Sequence, residues 1–137
     1  MLGNVDVTTM VPVDDIDAAE EFYGTALGLT KVDRSPNVVQ YRSGTTVLMV
    51  YESEFAGTNK GTTALWNVDD LEGTVQELTA RGVRFEHYDD LPGVTRDGEV
   101  HDTGAFKTAW FKDPAGNTFE VNGGGSPAAS ARSASGS

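Results

Sequence analysis

Residues 8–16 read TTMVPVDDI and residues 63–71 read TALWNVDDL. The two stretches stand 55 residues apart, with Val13-Asp14-Asp15-Ile16 in register with Val68-Asp69-Asp70-Leu71. In each, a short apolar-rich run meets two carboxylates and then an apolar residue. That is how a strand passes into a capped helix, because a side-chain carboxylate accepts hydrogen bonds from the free N–H groups of the first turn. Asp15 or Asp17 serves in the first copy, Asp69 or Asp70 in the second. Two copies are too few for a solenoid and suit a pair of similar modules.

Outward from each copy the pattern continues alike. Asp17–Leu27 places Ala18, Phe22 and Ala26, with Leu29 beyond, near one face, and Leu71–Arg81 does the same with Leu71, Val75 and Leu78. Gly28 and Gly82 fall where a helix is closed by a left-handed residue. Strand-like runs follow at 29–33, 38–42 and 46–52 in the first half, and at 83–87, 107–112 and 118–122 in the second. Ser35-Pro36-Asn37, Ser43-Gly44 and Asp113-Pro114-Ala115-Gly116-Asn117 supply turns. The chain therefore reads as β-α-β-β-β twice, in modules at 4–53 and 62–122 of one domain spanning 1–122. The loop 53–61 joins the modules. The longer loop 88–106 holds His101 and is either a binding lid or a plain excursion. Residues 123–137, GGGSPAASARSASGS, carry too little apolar surface to offset the entropy of ordering them and read as a disordered tail.

Composition narrows the partners. With 10 Lys and Arg against 21 Asp and Glu, the formal charge is −11. Such a chain gains nothing from counterion release on nucleic acid and is repelled by anionic membrane surfaces. Neutral or cationic small molecules, or a second copy of the chain, fit better. No segment approaches the apolar length of a membrane span, and Met1–Asp6 lacks a basic signal region. The absence of cysteine removes disulfides and thiolate chemistry and agrees with a cytoplasmic location. No phosphate-cradling loop, nucleophile elbow or zinc-protease helix is present, and the acidic doublets lack calcium-loop spacing.

Three motifs together resemble the vicinal oxygen chelate superfamily, which holds the glyoxalases, bleomycin-resistance proteins and extradiol dioxygenases. They are residues 15–23, DIDAAEEFY, followed by Leu27-Gly28-Leu29; Val68-Asp69-Asp70-Leu71 followed by Ala80-Arg81-Gly82-Val83; and residues 110–121, WFKDPAGNTFEV. The resemblance covers about Val5–Asn122. It implies an α+β fold of paired βαβββ modules, with a cup-shaped, mixed eight-stranded sheet and two helices outside. It also implies a homodimer. Members of the family typically hold one divalent metal in the cup, on ligands from the first and last strands of each module.

This sequence departs from that ligand set. The first-strand positions fall at Thr8 and Thr63, whose neutral hydroxyls compete poorly with water for a transition metal. The last-strand position of the second module falls at Glu120, a proper ligand type. Its counterpart within 48–51 offers no good ligand. One carboxylate is not a site, so the expectation is a protein without a metal cofactor.

Without a metal, Glu120 is suited to act as a general acid or base, to accept hydrogen bonds from neighbouring Thr hydroxyls, or to pair with a basic group on a ligand. His101, and with it His87, either moves protons near neutral pH or is a surface histidine. Strand alternation puts Thr8, Met10 and Pro12 on one face, and Thr63, Leu65 and Asn67 on the equivalent face of the second module. Val7, Val11, Ala64, Trp66 and Val68 then face the helices. Tyr41, Met49, Tyr51 and Trp110 join the cup lining, a surface suited to flat, partly apolar ligands.

Three functions follow. The leading one is a metal-free protein that binds or sequesters a small organic ligand, such as an antibiotic or a natural-product intermediate. The second is a glyoxalase-like isomerase or lyase with Glu120 as acid or base and His101 or a tyrosine as partner. The third is an interaction module with a filled cup. A shared scaffold does not decide among them.

Overall fold

A computed structural model describes residues 1–123. The tail expected at 123–137 lies outside the described residues except for Gly123, the last residue of its strand. The chain forms two compact units, one of residues 1–61 with the turn 113–117, the other of residues 62–112 with the strand from Thr118 onward.

In the first unit the expected β-α-β-β-β order is present. After a 3₁₀ turn at Leu2–Asn4 come β1 (Thr9–Val13), helix α1 (Ile16–Glu20) and a π-helical stretch over Glu21–Ala26. Then follow β2 (Thr30–Ser35), β3 (Val38–Ser43) and β4 (Thr46–Glu52). The strands form one mixed sheet in the order β1-β4-β3-β2, with β1 parallel to β4 and the other pairs antiparallel. Asp15 is the helix cap, its Oδ1 accepting from the N–H groups of Asp17 and Ala18, both at 3.1 Å.

The buried face of this helix is Ile16, Ala19 and Tyr23, one position on from the expected Ala18, Phe22 and Ala26. The π stretch changes the residue spacing per turn, and Tyr23 is drawn inward by its hydroxyl. That hydroxyl donates to Asp113 Oδ2 at 2.6 Å, in the turn 113–117. Asn117 ties the same turn down, donating from Nδ2 to Asp113 and to the Pro12 carbonyl.

The second unit repeats the order with an addition. Its elements are β5 (Thr62–Asn67), α2 (Leu71–Ala80), β6 (Phe85–Glu86), β7 (Thr95–Asp97), β8 (Val100–Asp102), β9 (Lys107–Lys112) and β10 (Thr118–Gly123). The strands form a six-stranded sheet, β5-β10-β9-β8-β7 with β6 also on β9. Asp70 caps α2, accepting from the Gly73 N–H at 3.0 Å. Ala64 and Trp66 lie on the face toward the core as expected. Trp66 packs on Phe111 and Phe119, with ring centroids 6.2 and 5.7 Å away.

The expected α+β fold is present, its mixed sheet laid out as two sheets of four and six strands. Two sequence expectations are corrected here. The extra strands β7 and β8 come from the segment 88–106, read as a loop. Asp97 pairs with Val100, leaving Gly98-Glu99 as a two-residue turn with Gly98 at φ 62°. A left-handed glycine at the first central position is what a type II′ hairpin demands. Val7, expected in the core, is 88% exposed because it precedes β1 and has no strand partner.

Among the described residues no helix is long and apolar enough to cross a membrane.

Candidate functional site

The second unit's sheet has a core face and an opposite face, and the candidate groups lie on the latter. Alternation along β10 sends Phe119 and Val121 to the core and Glu120 and Asn122 to the other side. Registered partners share a face, so Leu65 of β5 and Trp110 of β9 flank Glu120 directly.

Glu120 is only 9% exposed, and each of its oxygens holds a donor. Thr108 Oγ1 lies 2.6 Å from Oε2, and Trp110 Nε1 donates to Oε1 at 3.1 Å. The Thr108 hydroxyl also lies 3.0 Å from the Val121 carbonyl. A carboxylate offers about four lone-pair positions, so the two bonds leave acceptor capacity for a ligand. A hydrogen bond from a neighbouring threonine, one of the roles left open for Glu120, is therefore present, and Trp110 adds a donor that no sequence signal announced.

His101 lies on β8, not on a mobile lid, and is fully buried. It pairs in register with Thr108. Its Nε2 accepts from the Tyr88 backbone N–H at 2.9 Å. Its ring stands edge-on to Trp110 with centroids 4.8 Å apart, and Tyr88 packs on both. Burial holds the imidazole below its ordinary pKa, helped by the charges of Arg96 and His87 and opposed by Asp89 and the Glu99 backbone. The reading of His101 as a surface histidine is thus overturned. His87 is exposed and pairs with Glu99 at 3.1 Å. It forms no relay with Glu120.

The remaining lining candidates divide between the units. In the first, Met10 pairs with Met49 and Pro12 with Tyr51, so Met10, Met49 and Tyr51 share the face away from the helix. Met10 is 47% exposed there. Thr8 precedes β1 and is exposed. Tyr41 is corrected: it belongs to the buried face, its ring 6.1 Å from that of Tyr23. A one-residue difference in parity separates it from Met49. In the second unit, Leu65 and Trp110 adjoin Glu120. Thr63 falls at a register shift between β5 and β10, where Thr118 pairs with Thr62 and Phe119 with Ala64.

The donor set does not fit a family-type divalent metal. Among the described residues no group of three His, Asp or Glu side chains is placed to hold one. Glu120 is the one carboxylate at a ligand position, and a single carboxylate does not make a site. The hydroxyls of Thr8 and Thr63 are weak ligands.

Residues 7–121 match the family model of the Glyoxalase/Bleomycin resistance protein/Dioxygenase superfamily. The chain belongs to that superfamily, the class its paired βαβββ units define. Its fold is similar to that of lactoylglutathione lyase from Agrobacterium tumefaciens, with 24% identity and a TM-score of 0.64 over 88% of this chain and 93% of that one. It is also similar to TnmS3, an antibiotic binding protein from Streptomyces sp. CB03234, with 23% identity and a TM-score of 0.62 over 85% and 92%. A glyoxalase family protein from Enterococcus faecalis gives 18% identity and a TM-score of 0.68 over 89% and 99%. No curated protein matches the chain by sequence.

Proposed function

We propose that the chain is a metal-free, small-molecule-binding member of its superfamily that works as a cytoplasmic homodimer. It binds or sequesters an organic ligand, such as an antibiotic or a natural-product intermediate, against the Glu120 face of the second sheet. The observation that carries this reading is the state of Glu120. It is a buried carboxylate, fixed in position by Thr108 and Trp110, with lone pairs to spare and an indole beside it. A charge of −11 and a fixed carboxylate favour a ligand bearing a cationic or donor group. Leu65 and Trp110 supply the apolar contact, and Met10, Met49 and Tyr51 offer the first unit an apolar face of its own. An antibiotic binding protein among the structural neighbours agrees with this use of the scaffold.

A glyoxalase-like isomerase or lyase is the second reading, favoured by the packing of His101 on Trp110, which bonds to Glu120. A lyase also stands among the neighbours. Glu120 and His101 would then share acid–base work.

Native mass spectrometry of protein purified without chelators tests the proposal. A metal-free dimer, with or without an organic adduct, is the expected spectrum. One divalent ion per subunit, lost on acidification, would overturn the metal-free assignment. In Glu120→Gln, loss of turnover with retained binding would select the enzyme reading.

A further inference from the structure

Among the described residues, the buried side-chain polar atoms with no hydrogen-bond partner are Asn67 Oδ1, His101 Nδ1 and Asn122 Oδ1. All three lie on one line across the second unit's sheet. Asn67 pairs with Asn122, Asn122 with Thr108, and Thr108 with His101. Registered partners project on the same face, and strands stand about 4.8 Å apart, so the line runs roughly 14 Å. Thr108 is the satisfied member, bonded to Glu120 and Val121. Buried polar groups in native proteins are nearly always paired, so three unpaired atoms on a single row call for an explanation.

The chemistry of the row is definite. The Tyr88 N–H donates to His101 Nε2, so in the neutral ring the proton sits on Nδ1. That end of the row is a donor with no well-formed hydrogen bond, although the Glu99 backbone stands close enough to favour the charged ring. At the other end, each Asn amide carries both an acceptor and donors, and a half-turn about χ2 exchanges them. Two neighbouring amides therefore suit a ligand edge that sets an N–H beside a C=O. In the adjacent row on the same face, Leu65 and Trp110 provide apolar surface beside Glu120.

We infer that the row from Asn67 through Asn122 to His101 determines ligand specificity, taking a flat heterocycle by its lactam or imide edge. The edge bonds to the two asparagines, and an acceptor further along the ring system takes the His101 Nδ1 proton. This inference rests on the binding reading above. The ligand reaches these buried atoms only when side chains move aside, the asparagines at one end and Tyr88 and Trp110, which pack on His101, at the other. The atoms are already shielded from water, so the new bonds replace none to solvent.

The test uses lumichrome, a planar tricycle with an imide edge, its N1,N3-dimethyl derivative, which lacks both N–H groups beside a carbonyl, and proflavine, a flat cation with no such edge. Calorimetry on the full chain is expected to show lumichrome binding about tenfold tighter than the methylated form, with the side-chain amide resonances of Asn67 and Asn122 shifting only for lumichrome. Asn122→Leu is expected to lower lumichrome affinity about tenfold while leaving the melting temperature unchanged or raised, because it deletes an unsatisfied group. A purely structural asparagine gives the opposite pair: a lower melting temperature and unchanged affinity. Should Asn122→Leu fail to fold, Asn67→Leu, at a half-buried position, decides by the same two readouts. Proflavine binding without lumichrome binding overturns this inference and leaves the binding reading intact. Binding of neither overturns both.

Discussion

Trp110 Nε1 donates to Glu120 Oε1 at 3.1 Å across a registered pair of antiparallel strands. The indole thereby fixes a buried carboxylate at the same point where its ring offers apolar surface. Trp110→Phe keeps most of the surface and removes the donor. A bond to a charged acceptor is worth about 1.5–3 kcal/mol, and the half-buried position of Trp110 puts the expected loss at the lower end. Urea denaturation measures it. An unchanged midpoint would mean that the bond adds nothing net to stability.

Thr108→Val tests the other oxygen of the same carboxylate. Valine matches threonine in shape, so the substitution deletes only the hydroxyl that bonds to Glu120 Oε2 and the Val121 carbonyl. Thr108 is fully buried, and an acceptor stranded there costs about 1–3 kcal/mol. Thr108→Ser, which restores the hydroxyl, should recover part of that loss. If valine and serine destabilise equally, packing and not the hydrogen bond is the cause.

Much of the fold was legible because its signals are local. The Val-Asp-Asp repeat marked both strand-to-helix junctions, and Asp15 and Asp70 cap as their chemistry requires. Glu120 was legible as the surviving carboxylate at a ligand position. The hairpin of β7 and β8 was not. All three residues of β7 are exposed, so no apolar alternation announces it, and only Gly98 hinted at a turn. Without that hairpin, His101 looked like a loop residue and not a buried ring. The row of unpaired atoms was out of reach for a different reason. It exists only once the register of four strands is fixed, and register is a tertiary property. Tyr41 was misplaced by the same ambiguity, since one residue of parity exchanges the two faces of a strand.

Tyr23→Phe probes the turn 113–117. The Tyr23 hydroxyl and Asp113 are both buried, and their 2.6 Å bond links positions 90 residues apart. Its removal should cost about 1.5–3 kcal/mol, with the secondary structure seen by circular dichroism unchanged. A loss below about 0.5 kcal/mol would show that Asn117, which also donates to Asp113, suffices alone to hold the turn.

The tyrosines also set an alkaline limit. Burial, with Asp113 beside it, pushes the Tyr23 phenol well above its ordinary range, and burial with Glu20 nearby pushes Tyr41 up to about 12. Both folded values exceed the unfolded value of about 10. The native state therefore holds these protons more tightly, and their contribution is complete below pH 10 and lost as pH rises toward 12. Absorbance at 295 nm should show Tyr23 still protonated until the chain unfolds, with Tyr23→Phe leaving the pre-unfolding titration unchanged. A Tyr23 phenolate appearing in the folded protein near pH 10 would contradict the buried bond to Asp113.

His101 sets the corresponding acid limit. Its folded pKa lies below the ordinary 6.5, chiefly because burial penalises the imidazolium. Protonation also requires Nε2 to gain a hydrogen where it now accepts from the Tyr88 N–H, so charging the ring breaks that bond. The unfolded chain takes up the proton near pH 6.5 and the folded chain only at lower pH. The stability that follows is present above pH 6.5 and is lost as pH falls through the folded value. Proton NMR offers a direct reading, with the His101 C2–H signal identified by its absence in His101→Gln. That signal should lie nearer its neutral than its charged position at pH 6.5, and as it moves on further acidification the Tyr88 amide should move with it. A midpoint at or above 6.5 would mean that the ring is solvated and that the Tyr88 bond does not fix its tautomer. The donor at Nδ1, on which the proposed recognition of a ligand acceptor depends, would then be lost as well.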